Sequence, residues 1–143
     1  MRHLYFAYGM NTHLDQMAQR CPGAEVVGLA ELQNHALEFA YHCNVISVPG
    51  SGVPGLLWTI TDQDLEALDR AEGYPTYYDR VQVPVTVNGI VLNAVVYVMA
   101  DKTQPCPPGQ GYLDLVRMGY AQNKINQTQL DLALNKSYEL YSV

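Results

Sequence analysis

Three short stretches carry groups suited to proton transfer and anion binding. In the first, Leu65, Leu68, Asp69 and Glu72 fall at i, i+3, i+4 and i+7, on one stripe of a helix. The inward face of that helix therefore ends in carboxylates at its C-terminus. The helix dipole is negative there and burial disfavours charge, so both effects push the Glu72 pKa upward, toward the range useful for proton transfer near neutral pH. The alternative is that Glu72 turns into solvent in a frayed last turn, and helix geometry alone leaves both readings open. The second stretch is "GYPTYYDR", Gly73 to Arg80. Its tyrosines either orient the acid and contact a ligand, or alternate faces at a strand start with one of Tyr77 and Tyr78 simply packing. Arg80 is a candidate partner for a carboxylate, a pair worth little if solvated. The third is "YFAYGMN", Tyr5 to Asn11, a strand breaking into a Gly-x-Asn turn ahead of a capped helix. Such a turn offers free backbone N–H groups that can hold a carboxylate or a developing oxyanion. An ordinary strand-to-helix turn has the same pattern.

Other chemistries find no support. His42 and Cys43 are adjacent and are expected on opposite sides of a strand, and no other Cys or His has metal-ligand spacing. "GSGVPG" lacks the Gly-Lys-Ser/Thr end of a phosphate loop, and no serine sits in a G-x-S-x-G elbow. None of Cys21, Cys43 and Cys106 has basic neighbours that would lower a thiol pKa. Neither a metal nor an organic cofactor is expected.

The elements that must position these groups form a mixed chain. Leu4 to Tyr8 reads as a strand. Leu14, Met17, Ala18 and Cys21 mark one face of a helix, with Thr12 and Asp15 as its capping box and Pro22-Gly23 as its stop. Glu25 to Val48 is strand-like and broken by polar turns, and Val53 to Ile60 is a strand reached through "VPGSGVPG". Thr61 and Asp64 cap the helix bearing Glu72, which Gly73 and Pro75 end. Val81 to Val87 and Ile90 to Met99 form a hairpin around Asn88-Gly89. After the "QPCPPGQG" loop come two helices, about 110–123 and 127–141, the second with an apolar stripe of Leu130, Leu134, Tyr138 and Tyr141. The expected class is α+β: a small, mixed, largely antiparallel β-barrel with flanking α-helices.

Length and composition agree. At 143 residues, one domain spanning 1–143 is expected. The chain is 48% hydrophobic and 15% charged with a net charge of −6, which fits a packed core and argues against nucleic-acid and anionic-membrane partners. No segment reads as a signal peptide or a membrane span, and three irregularly spaced cysteines argue against a disulfide framework. A reduced, cytoplasmic setting is expected. Eleven tyrosines against two phenylalanines suggest aromatic surfaces that also need hydroxyl hydrogen bonds.

"YFAYGMN", "LEALDRAEG", "YYDR" and "YVM", in that order, resemble the γ-glutamylcyclotransferase superfamily, over roughly residues 3 to 125. The resemblance implies a barrel-like α/β fold and release of 5-oxoproline from small-molecule γ-glutamyl compounds. It implies that Glu72, in the family's "EG" after a short helix, is the catalytic glutamate. It matches the family's Tyr-Gly-Ser-Asn loop to Tyr8, Gly9, Met10 and Asn11, a loop that holds the γ-glutamyl group largely through its backbone. Tyr78, Tyr97 and Tyr112 fall on family-like pocket tyrosines. Met10 departs from the family's serine. A backbone-driven loop tolerates it, whereas a required hydroxyl would mean changed substrate choice or a binding module without turnover. The leaving group stays open between an amino acid, an amine and a larger carrier, as does the oligomeric state.

Overall fold

In a computed structural model that describes residues 1–101 and 103–141, five strands close into a barrel flanked by four helices. The elements are β1 (Arg2–Ala7), α1 (Leu14–Arg20), β2 (Glu25–Ala40), β3 (His42–Thr61), α2 (Asp62–Glu72), β4 (Tyr78–Val87), β5 (Ile90–Met99), α3 (Gln110–Asn123) and α4 (Thr128–Tyr141). A 3-10 turn, Met10–Thr12, lies between β1 and α1. The barrel order is β1-β3-β2-β4-β5. Every pairing is antiparallel except the closure of β1 on β5 at Tyr5 and Val95. The expected α+β class and largely antiparallel barrel are therefore what the chain forms. β1 is flanked on both sides, so Tyr5, Phe6 and Ala7 are all buried and its end runs directly into the turn at Gly9.

Local chemistry explains most boundaries. Thr61 and Asp64 close a full capping box on α2, a feature worth about 1 kcal/mol. At the other end Gly73 takes the left-handed conformation, and the N–H groups of Gly73 and Tyr74 satisfy the carbonyls of Arg70 and Asp69. Asn88 and Gly89 both have positive φ, as a tight two-residue hairpin requires.

Three expectations are corrected. α1 is capped by His13, whose Nδ1 accepts the Gln16 N–H, and not by Thr12. Thr12 is drawn into the 3-10 turn, where its hydroxyl donates to the Gly9 carbonyl at 2.8 Å. "VPGSGVPG" is not a loop leading to a strand, since β3 runs through it without interruption. Residues before Leu56 pair only with β2, so Pro49 and Pro54 sit on an edge of the sheet, the setting in which a strand tolerates proline. On α4 the buried residues are Leu130, Ala133 and Ser137, while Tyr138 and Tyr141 are exposed. Small side chains at 133 and 137 form the buried face.

Among the described residues, no helix is long and apolar enough to cross a membrane.

Candidate active site

A cavity of about 230 Å3 opens where the end of β1, the start of β3, the end of α2 and the start of β4 converge. Glu72, Tyr8, Gly9, Met10, Asn11, Tyr78, Tyr97 and Tyr112, the eight residues singled out in the sequence, all line it. They come from positions more than a hundred residues apart, so barrel closure is what brings them together.

Glu72 faces this cavity and not bulk solvent. Its Oε1 accepts a hydrogen bond from Asn11 Nδ2 at 3.2 Å, and that amide also donates to the Tyr5 hydroxyl at 2.9 Å. Burial pushes the Glu72 carboxyl above the ordinary carboxylate range, while the Arg20 guanidinium and the Asn11 amide pull it part of the way back. The solvent-facing alternative for the last turn of α2 is therefore not the one the chain adopts. Asp69, one turn earlier on the same stripe, has a different task. It accepts the Tyr97 hydroxyl at 2.6 Å and pairs with Arg80, which also lies over the Tyr74 ring. Arg80 thus holds the wall of the site and does not face the cavity.

The tyrosines are neutral hydrogen-bonding walls. Burial raises the hydroxyl pKa values of Tyr8, Tyr78, Tyr97 and Tyr112. Tyr8 donates to the Tyr97 carbonyl at 2.6 Å, tying β1 to β5. Tyr78 donates to the Cys43 carbonyl, and Tyr112 accepts the Cys43 N–H at 3.0 Å. Gly9 lies against this group: a Cβ there would stand 3.1 Å from Cys43 Cβ and 3.2 Å from the Tyr112 hydroxyl, closer than side chains ordinarily approach. The Met10 side chain packs against the core, and its Sδ takes Gln16 Nε2 at 3.5 Å.

Helix α3 supports the turn from behind. Tyr120 donates to the Tyr8 carbonyl at 2.6 Å, Asn123 to the Thr12 carbonyl at 2.7 Å, and Gln122 accepts the Leu14 N–H at 3.0 Å. Gly119 lets the helix backbone approach Thr12 and His13 directly.

Seven further residues line the cavity: Tyr77, one of the two strand-start tyrosines expected either to contact a ligand or to pack, and Tyr5, Phe6, Arg20, His42, Cys43 and Ala71, which are not among the expected site residues. Strand alternation separates His42 from Cys43, yet both border the cavity. His42 begins β3, and its ring turns onto Tyr112 while Nδ1 meets the Tyr77 hydroxyl at 2.7 Å. Burial pushes the Cys43 thiol up to about 12, so it stays protonated and is no nucleophile at neutral pH. For Arg20 the sequence offers only a general signal, a basic residue ending α1 where a cation favours the helix C-terminus.

The arrangement places one carboxyl of raised pKa, a fixed amide and several neutral phenols around a small cavity. That set can exchange a proton and hold a small polar ligand without a covalent intermediate. The cavity is open, with Glu72, Met10 and Tyr97 on its wall and not filling it.

Comparison with known proteins agrees with the geometry. The sequence model of the family described as "Gamma-glutamyl cyclotransferase, AIG2-like" matches residues 5–114. Human gamma-glutamylcyclotransferase is 29% identical over 134 residues, covering 84% of this chain and 71% of that protein. The mouse gamma-glutamylcyclotransferase is 28% identical over 138 residues, covering 87% and 73%. A solved structure titled "Gamma-glutamyl cyclotransferase" superposes with a TM-score of 0.79 at 25% identity, covering all of this chain and 88% of that one.

Proposed function

Because the chain belongs to the gamma-glutamyl cyclotransferase, AIG2-like family and is an enzyme of that type, we propose that it releases 5-oxoproline from small-molecule γ-glutamyl compounds with Glu72 as general acid and base. The observation that carries this reading is Glu72 on the cavity wall, half-buried and bonded to Asn11 of the adjacent turn.

The chemistry follows from the substrate. Its α-amine is largely protonated at neutral pH and is then no nucleophile. Glu72 as carboxylate removes that proton. The freed nitrogen attacks the substrate's own γ-carbonyl carbon, and a five-membered ring forms. As the bond to the leaving nitrogen breaks, the protonated Glu72 returns the proton to it, and the carboxylate so regenerated takes the second proton from the attacking nitrogen and passes it to the released amine, which departs as an ammonium. One C–N bond forms, one breaks, and no water is consumed. A carboxyl of raised pKa suits both transfers. Holding the folded conformer is the other main contribution, worth roughly 7–11 kcal/mol in well-oriented intramolecular reactions. Backbone N–H groups of the Gly9–Asn11 turn are assigned to the substrate α-carboxylate or the developing oxyanion. Tyr78, Tyr97 and Tyr112 are assigned to the pocket wall.

The test is a mass-spectrometric screen of γ-glutamyl amino acids and γ-glutamylamines for 5-oxoproline, with Glu72→Gln as control. Product from the wild type and none from the variant supports the proposal, and equal rates refute it.

Met10 is assigned a backbone role, supported by its side chain resting on Gln16 and the core. Met10→Ser is therefore expected to leave kcat/KM within about threefold of the wild type. A gain of ten times or more would give the position a hydroxyl role instead.

A further inference from the structure

We propose that Arg20 is a positioning residue that acts through Asn11 to hold the Glu72 carboxylate in its productive orientation. The inference rests on the role proposed for Glu72 and assigns a task to a residue outside the sequence motifs. Arg20 Nη1 donates to Asn11 Oδ1 at 2.8 Å. An asparagine side chain has two ends, and the guanidinium can only donate. Fixing Oδ1 toward Arg20 therefore commits Nδ2 to the opposite side, where it donates to Glu72 Oε1 and to the Tyr5 hydroxyl. Without Arg20 the amide is free to turn over. The flipped amide would aim Oδ1 at the carboxylate, replacing an attraction with a repulsion.

Electrostatics give Arg20 a second effect on the same group. The titratable groups that couple to Glu72 from neighbouring elements are Tyr5 and Tyr8 on or beside β1, Cys43 on β3, and Tyr77 and Tyr78 at the start of β4. Burial raises all five, so each is uncharged near neutral pH. On α2 itself Asp69 is engaged by Arg80 and Tyr97. Arg20, at the end of α1, is the cation that acts on Glu72, and it favours the ionised form. It thus keeps Glu72 available as a base despite its burial.

The test compares the wild type with Arg20→Met and Arg20→Lys. Kinetics across pH use a γ-glutamyl compound that the wild type turns over. In Arg20→Met, kcat is expected to fall by about tenfold or more with KM within about threefold. The acid limb of the kcat/KM profile moves to higher pH. Arg20→Lys returns the limb toward its wild-type position because the charge is restored. It does not restore full kcat, because an ammonium lacks the fixed donor fork. A raised KM at unchanged kcat would make Arg20 a substrate-binding residue and overturn the inference, as would an unmoved acid limb. A second readout needs no turnover: the Glu72 carboxyl is titrated by carbon-13 NMR in the same proteins. A titration unchanged in Arg20→Met overturns the inference, and a move to higher pH supports it. Absence of any 5-oxoproline from the wild type defeats the proposed function but leaves this titration to decide the role of Arg20. If the methionine variant does not fold, the lysine variant carries both readouts, with the same limb position and a reduced kcat expected.

Discussion

Glu72→Gln is expected to lower kcat by about 10²–10⁴-fold while KM changes little, and to make the protein more stable at the same time. The two effects share one cause. Glutamine fills the same space and keeps an oxygen that can accept from Asn11 Nδ2. What it removes is the titrating proton. In the folded chain burial raises the Glu72 pKa above its unfolded value. For such a group the folded state favours the neutral acid. The stability this confers is complete below the unfolded pKa and is lost as pH rises through the folded one. Above that window the wild type carries an ionised, half-buried carboxylate and the variant does not. Thermal unfolding should therefore show the variant melting above the wild type at pH 7–8, with the difference closing as pH falls below the ordinary carboxyl range. A variant with normal turnover, or with a stability difference independent of pH, would remove Glu72 from the proposed role.

The second large effect is predicted far from the cavity. Gly119→Ala in the middle of α3 should be stabilising by about 1 kcal/mol on helix propensity alone. Space reverses the sign. The added Cβ would stand 2.2 Å from Thr12 Oγ1, 2.6 Å from the His13 nitrogen and 2.8 Å from the Thr12 carbonyl carbon. The Thr12 side chain can rotate, but the backbone atoms cannot yield without moving the turn or the helix. Overpacking of this kind costs typically 1–3 kcal/mol, so a net loss of up to about 2 kcal/mol is expected. The turn that would move also carries Gly9, Met10 and Asn11. Misplacement by an ångström can cost about 10²-fold in rate, so activity should fall by ten times or more although Gly119 does not line the cavity. A variant that is more stable and fully active would show that α3 does not set the position of the turn.

The contrast between these two positions explains what the sequence discloses. Glu72 is legible as a candidate because its evidence is local, a capped helix, an apolar stripe and a glycine stop within a dozen residues, but that pattern leaves a solvent-facing turn equally open and the family resemblance is what singles the residue out. The hairpin at Asn88-Gly89 and the capping of α2 are legible for the same reason. Gly119 is not, because its role depends on Thr12, more than a hundred residues away, and leaves no spacing pattern. Arg20 is hidden likewise, since one hydrogen bond to Asn11 distinguishes it from any basic residue at a helix end. The β3 strand was obscured by two prolines and three glycines between Val48 and Gly55. Composition there signals a loop, and the edge position that makes the prolines acceptable is set by which strands pair.

In the proposed reaction Glu72 drives attack by the substrate's own amine and not by water. Turnover of a γ-glutamyl compound in water enriched in oxygen-18 tests it directly. Unlabelled 5-oxoproline appearing in step with the released amine is expected. Glutamate carrying oxygen-18, with no 5-oxoproline, would contradict it.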